Sequence, residues 1–89
     1  ILQEIISYMK KNPSSKFRIE GHTDSIGSYS ANRILSQKRA SEVKAYLVSN
    51  GVSASNLEAI GFGERKPIES NMLKAGREIN RRVEIIQVN

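Results

Sequence analysis

The chain contains no cysteine, which excludes disulfides and thiolate metal sites. No apolar run approaches the roughly 20 residues that a membrane-crossing helix requires. Histidine occurs once, at His22, and one imidazole with scattered acids is a poor set of metal ligands. We expect His22 to pack or hydrogen-bond within its loop, and we expect no cofactor. No serine has an evident histidine–acid relay, so a hydrolase triad is missing. Gly61-Phe62-Gly63 lacks the third glycine and the lysine of a phosphate-binding loop. Initiator methionine and signal peptide are also lacking. The chain is therefore expected to be the C-terminal part of a longer protein, with any membrane anchor outside it.

What is present suits one small folded domain over residues 1–89. Hydrophobic residues make up 38% and charged residues 26%, a balance that does not read as disorder. The net charge of +5 favours an anionic partner without choosing among nucleic acid, lipid head groups and acidic polymers. Residues 1–44 carry eight basic and four acidic side chains, so most of the excess lies there. Nucleic-acid binding is the alternative that this charge raises. Against it, the bases are interspersed with acids, and only two Phe and three Tyr are available for stacking.

Leu2, Ile5, Ile6 and Met9 repeat at helical spacing, and Asn12-Pro13-Ser14-Ser15 ends that helix. Lys16 to Glu20 alternates as a half-buried strand. Gly21 to Gly27 reads as a loop. Ser28 or Ser30 can cap the next helix, which runs to about Asn50 and stops at Gly51. Leu35, Val43 and Leu47, helped by Ala31 and Ala40, are its expected buried stripe. Leu57 to Phe62 and Arg82 to Val88 read as strands. The polar stretch between them offers a short helical turn at Asn71 to Ala75. The order implies an α/β sandwich with helices on one face of a mixed sheet. Because it begins with a helix, it suggests an earlier strand before Ile1.

The chemistry concentrates around the long helix. Arg39 lies beside the apolar stripe, seven residues and about two turns after Asn32, so the two align on one face. A guanidinium there either finds an acceptor or extends to solvent over apolar neighbours. Asp24, before the start of the same helix, is its candidate partner, favoured by the helix dipole. It could instead brace its own loop. Free backbone N–H groups at this helix start suit an anionic group. An acid, a base, an amide and these donors fit a zwitterion: Asp24 for an ammonium, Arg39 for a carboxylate, Asn32 for either. A plain Asp24–Arg39 salt bridge is the structural alternative. In Asn80-Arg81-Arg82-Val83-Glu84 adjacent side chains point to opposite faces, so at most one arginine faces a given pocket.

Gly21-His22-Thr23-Asp24, Gly27, Asn32, Leu35-Ser36, Arg39-Ala40 and Val43 form one spaced signature. Gly61-Phe62-Gly63-Glu64, Pro67, Asn71, Gly76-Arg77 and Asn80-Arg81-Arg82-Val83-Glu84 continue it. The ordered set, nearly end to end, closely resembles the OmpA-like peptidoglycan-binding domain of porin tails, peptidoglycan-associated lipoproteins and flagellar stator proteins. The resemblance implies a βαβαβ-type fold that begins with a strand this chain lacks. It implies noncatalytic binding of peptidoglycan through the diaminopimelate of the stem peptide. It further implies a periplasmic location, attached to the outer membrane of a Gram-negative-type bacterium. Asp24 and Arg39 match the family's ligand-clamping aspartate and arginine, and Asn32 matches its helix asparagine. Thr23 and Asp24 would offer backbone contacts, and Arg81 lies at the matching strand entry.

Overall fold

The computed structural model describes residues 2–89. Helix α1, Leu2–Lys11, buries Ile6 and Met9 and carries Lys10 and Lys11 in its last turn, where positive charge suits the helix dipole. The chain then enters β1, Phe17–His22. It crosses over through α2, Tyr29–Ser49, and a single 3-10 turn at Ala54–Asn56 into β2, Leu57–Gly63. Helix α3, Lys74–Asn80, leads into β3, Arg82–Gln87.

The sheet order is β2-β1-β3. Strand β1 is parallel to β2, which requires a crossover, and antiparallel to β3. Phe17, Ile19 and Leu57 meet Ile6 and Met9 of α1 and Ala40 and Leu47 of α2 in one core. Tyr8 packs edge-on against Phe17, with ring centroids 6.2 Å apart.

Helix α2 is set by its caps. Ser28 Oγ accepts from Ala31 N at 3.1 Å. At the other end Gly51 takes φ +97°, Val52 N donates to Leu47 O, and Gly51 N donates to Val48 O. This reciprocal pair satisfies carbonyls that the helix leaves unbonded, and it seats Val52 on the buried Leu47.

The buried stripe of α2 differs from the expected one. It consists of Asn32, Ser36, Ala40 and Leu47, with Val43 half-buried, while Leu35 is 40% exposed and Ala31 is exposed. The cause lies in the sheet. A methyl group on Gly21 would overlap the Ser36 carbonyl, and one on Gly61 would overlap the Gln37 backbone. With hydrogen at both places the helix approaches so closely that small residues must face the strands. Ser36 Oγ then accepts from Gly63 N at 2.8 Å.

Element boundaries also move, β2 among them, which ends at Gly63 and not Phe62. Gly21 and His22 belong to β1, where Gly21 pairs with both Gly61 and Val83. Helix α3 occupies Lys74–Asn80, overlapping the turn expected at Asn71 to Ala75 only at Lys74 and Ala75, and Gly76 packs directly on the Ser70 backbone. Strand β3 ends at Gln87, one residue before Val88.

Candidate ligand pocket at the head of helix 2

The loop from β1 to α2 is buried where it leaves the sheet and exposed from Ser25 onward. Thr23 N donates to Gly63 O at 2.9 Å, and Thr23 Oγ1 donates to Asp24 O at 2.8 Å. The Asp24 carboxylate accepts from Ile26 N through Oδ1 at 3.0 Å and from Arg81 through Oδ2 at 2.6 Å. Asn32, one turn into α2, donates through Nδ2 to Asp24 O at 3.3 Å and to Ile26 O at 3.0 Å. Thr23, Asp24, Asn32 and Arg81 are thus brought together.

Arg39 is half-buried on α2 and makes no salt bridge among the described residues. The plain Asp24–Arg39 salt bridge, the structural alternative to a ligand clamp, does not form: the ion partner of Asp24 is Arg81. Register explains the outcome. β3 runs antiparallel to β1 with His22 opposite Arg82, so the residues just beyond those ends, Asp24 and Arg81, meet. Arg39 sits ten residues, roughly 15 Å, along α2 from Tyr29. Of the two adjacent arginines, Arg81 faces the pocket, while Arg82 pairs with Glu84 on β3.

Burial would raise the Asp24 pKa. The Arg81 hydrogen bond, the Ile26 N–H and the nearby Arg81 and Arg77 charges more than offset it, leaving the group below its ordinary value. Asp24 is an anion at neutral pH.

Behind the pocket lies a network that the sequence reading does not assemble. His22 stacks on Phe62, with centroids 5.5 Å apart and planes 10° off parallel, and its Nε2 lies 3.2 Å from Glu20 Oε1. It packs as expected, but from within the strand. Burial and the Arg82 charge lower its pKa against the opposing pull of Glu20, so the imidazole is neutral. Glu20, His22 and Glu84 place potential metal-ligand atoms within 4.8 Å of one another. Both carboxylates are already engaged, Glu20 by Arg18 and Glu84 by Arg82, which makes this an ion-pair network. Asn80 is the second omission. Its Oδ1 accepts from Ile68 N and Glu69 N, and its Nδ2 donates to Glu69 O and Asn71 Oδ1. It thereby fixes the loop before α3 and holds the next residue, Arg81, in place. The alternation of Lys16 to Glu20 continued through His22 would have signalled the first group. No local pattern announces the second.

A model of the OmpA family matches residues 1–81. The chain belongs to the OmpA family. Among OmpA-family relatives it is 43% identical to outer membrane porin F of Pseudomonas fluorescens, over 93% of this chain and 26% of the porin. It is 41% identical to the peptidoglycan-binding protein ArfA of Mycobacterium tuberculosis, over 97% of this chain and 26% of that protein. The peptidoglycan-associated lipoprotein of Burkholderia pseudomallei superposes with a TM-score of 0.93 at 34% identity, covering 97% of this chain and 73% of that one. The chain thus spans about a quarter of the length of these two relatives, porin F and ArfA. The α/β fold with a three-stranded mixed sheet is the OmpA-family fold.

Proposed function

We propose that this chain is a noncatalytic peptidoglycan-binding module that anchors an envelope protein to the cell wall by gripping the diaminopimelate of the stem peptide. The observation that carries the reading is the Asp24 constellation. An ionised, nearly buried carboxylate is fixed at a helix start by Arg81 and Ile26 N, within a chain of the OmpA family. Membership of porin F, ArfA and the associated lipoprotein in the same group of relatives supports a wall-bound role and a place in the bacterial envelope. A periplasmic site, at the outer membrane of a Gram-negative-type cell, is part of this proposal.

Each carboxylate oxygen of Asp24 has a second lone pair beyond the bond it already makes. A ligand ammonium therefore joins Arg81 at the carboxylate without displacing it. The half-buried Arg39, with no salt bridge among the described residues, clamps the ligand's side-chain carboxylate through two parallel hydrogen bonds. Thr23 and Asn32 hold the loop in shape and offer polar contacts.

The decisive comparison is calorimetric titration with a diaminopimelate stem peptide and with its lysine counterpart, which has the ammonium but no terminal carboxylate. Asp24→Ala and Arg39→Ala should each lose about 2–5 kcal/mol of binding to the first peptide, the usual cost of removing one partner of a desolvated charge pair, while staying folded. Equal affinity for both peptides would refute the two-point clamp.

A further inference from the structure

Asp24 neutralises one guanidinium, and two stand near it. Arg81 donates to Asp24 Oδ2 at 2.6 Å. Arg77 lies four residues earlier, in the last turn of α3, and Arg81 N donates to Arg77 O at 3.2 Å. Side chains at this spacing are neighbours on one helix face. The charge of Arg77 reaches Asp24 and helps to hold its carboxyl below the ordinary value. Yet Arg77 makes no salt bridge among the described residues.

The fold explains part of Arg77. The helix dipole favours a cation in a last turn, and its Nη1 donates to Asn71 O at 3.0 Å. A guanidinium carries five N–H donors in one plane, so a single bond leaves most of the fork unspent. Arg77 is half-buried, where an unpaired cation gains most from an anion. Arg81 also has donors to spare: its side chain is 42% exposed beyond the bond to Asp24. Like charges one turn apart repel each other, and one carboxylate does not neutralise both. The pocket therefore suits one more anionic group, on the α3 side of Asp24 and apart from Arg39 on α2.

We propose that Arg77, with the open side of Arg81, holds a second carboxylate of the stem peptide, supplied by a residue that flanks diaminopimelate. The inference rests on the peptidoglycan reading above. The stem offers two such groups. The glutamate before diaminopimelate is joined through its side chain and leaves its α-carboxylate free. The alanine after it ends a tetrapeptide in a C-terminal carboxylate. Either group is set off from the ammonium at Asp24 by the diaminopimelate side chain and one linkage, an extended reach of roughly 10 Å. Arg77 begins one turn, about 5.4 Å, before Arg81, which lies within that reach. The charges of ligand and protein then alternate: ammonium on Asp24, one carboxylate on Arg39, the second on Arg77. The planar fork of an arginine matches a carboxylate with two parallel bonds.

The test is calorimetric titration with a diaminopimelate tetrapeptide in three forms: both flanking carboxylates free, the glutamate α-carboxylate amidated, and the C-terminus amidated. At least one amidation should weaken binding roughly tenfold, and the form affected names the source. Arg77→Gln should weaken binding of the free form by the same factor and remove the difference between it and the affected amide. An Arg77 that only braces Asn71 would weaken all three forms alike and leave that difference standing, which overturns the subsite. So does equal affinity of the unaltered chain for all three forms, a comparison that needs no variant. The diaminopimelate clamp fails separately. In that case the lysine peptide binds as well as the diaminopimelate peptide, while amidation still weakens both and the subsite stands.

Discussion

Asp24 and His22 both tie the stability of the domain to pH, and in the same direction. Asp24 has a lowered pKa when folded. Its stabilising contribution is complete above the unfolded value, about 3.9, and disappears as pH falls through the lower folded value. His22 is also lowered. The unfolded chain takes up a proton near pH 6.5 that the buried ring refuses, so acidification below that point favours unfolding. Resistance to urea should therefore weaken in two stages on acidification, the first below about pH 6.5 and the second below about pH 4. His22→Phe should flatten the first stage, and Asp24→Asn should reduce the second, which it shares with Glu20, whose carboxyl is also held below its ordinary value. An unchanged profile in either variant would show that the residue's charge is not linked to folding.

Asn80 is a different kind of residue-scale feature, because all its polar atoms serve the chain itself. Asn80→Ala leaves backbone groups of Ile68 and Glu69 without partners. Stability should fall by about 1–3 kcal/mol for the groups left buried. Ligand affinity should fall too, since Arg81 follows directly in the chain. Unaltered affinity in a folded Asn80→Ala protein would separate that loop from the pocket.

Among the elements, the contact between α2 and the sheet is the least forgiving. Gly21→Ala sets a methyl group against the Ser36 carbonyl, which is backbone and cannot rotate away. We expect a loss of about 3 kcal/mol or more by denaturant titration. Gln37→Ala is a milder change with a distinct signature. It frees Ala59 O and Gly61 N on β2, and an unpaired strand edge invites pairing with another chain. Sedimentation should reveal concentration-dependent association, with a stability loss of about 1 kcal/mol.

These contacts also decide what could be read in advance. Ser28 and Gly51 were legible because capping depends on neighbours within one turn. Ser36, in contrast, is buried and Leu35 exposed because glycines on two strands set the helix height, and no local periodicity records that distance. Helix α3 starts later than the turn expected at Asn71 to Ala75, and the contact of its Gly76 with the Ser70 backbone leaves no trace in local periodicity. Thr23, Asp24 and Asn32 lie within nine residues of one another and gather as expected. That Arg81 and not Arg39 is the ion partner of Asp24 depends on the register of β3 on β1, and pairing register between strands so distant in sequence is invisible in a single chain.

For the whole molecule, the central strand has a mechanical consequence. β1 is bonded on both sides, to β2 and to β3, and it runs straight into Thr23 and Asp24. If the wall is tethered at Asp24 as proposed, a load arriving there is drawn along β1 and resisted by both neighbours together, with further bracing from the Gly63 and Arg81 contacts. The strand is sheared between two partners rather than peeled from one, and a sheared ladder must rupture many hydrogen bonds at once. Resistance to pulling is a matter of unfolding rate and not of equilibrium stability, so this strand order would serve the proposed tether whatever the free energy of folding.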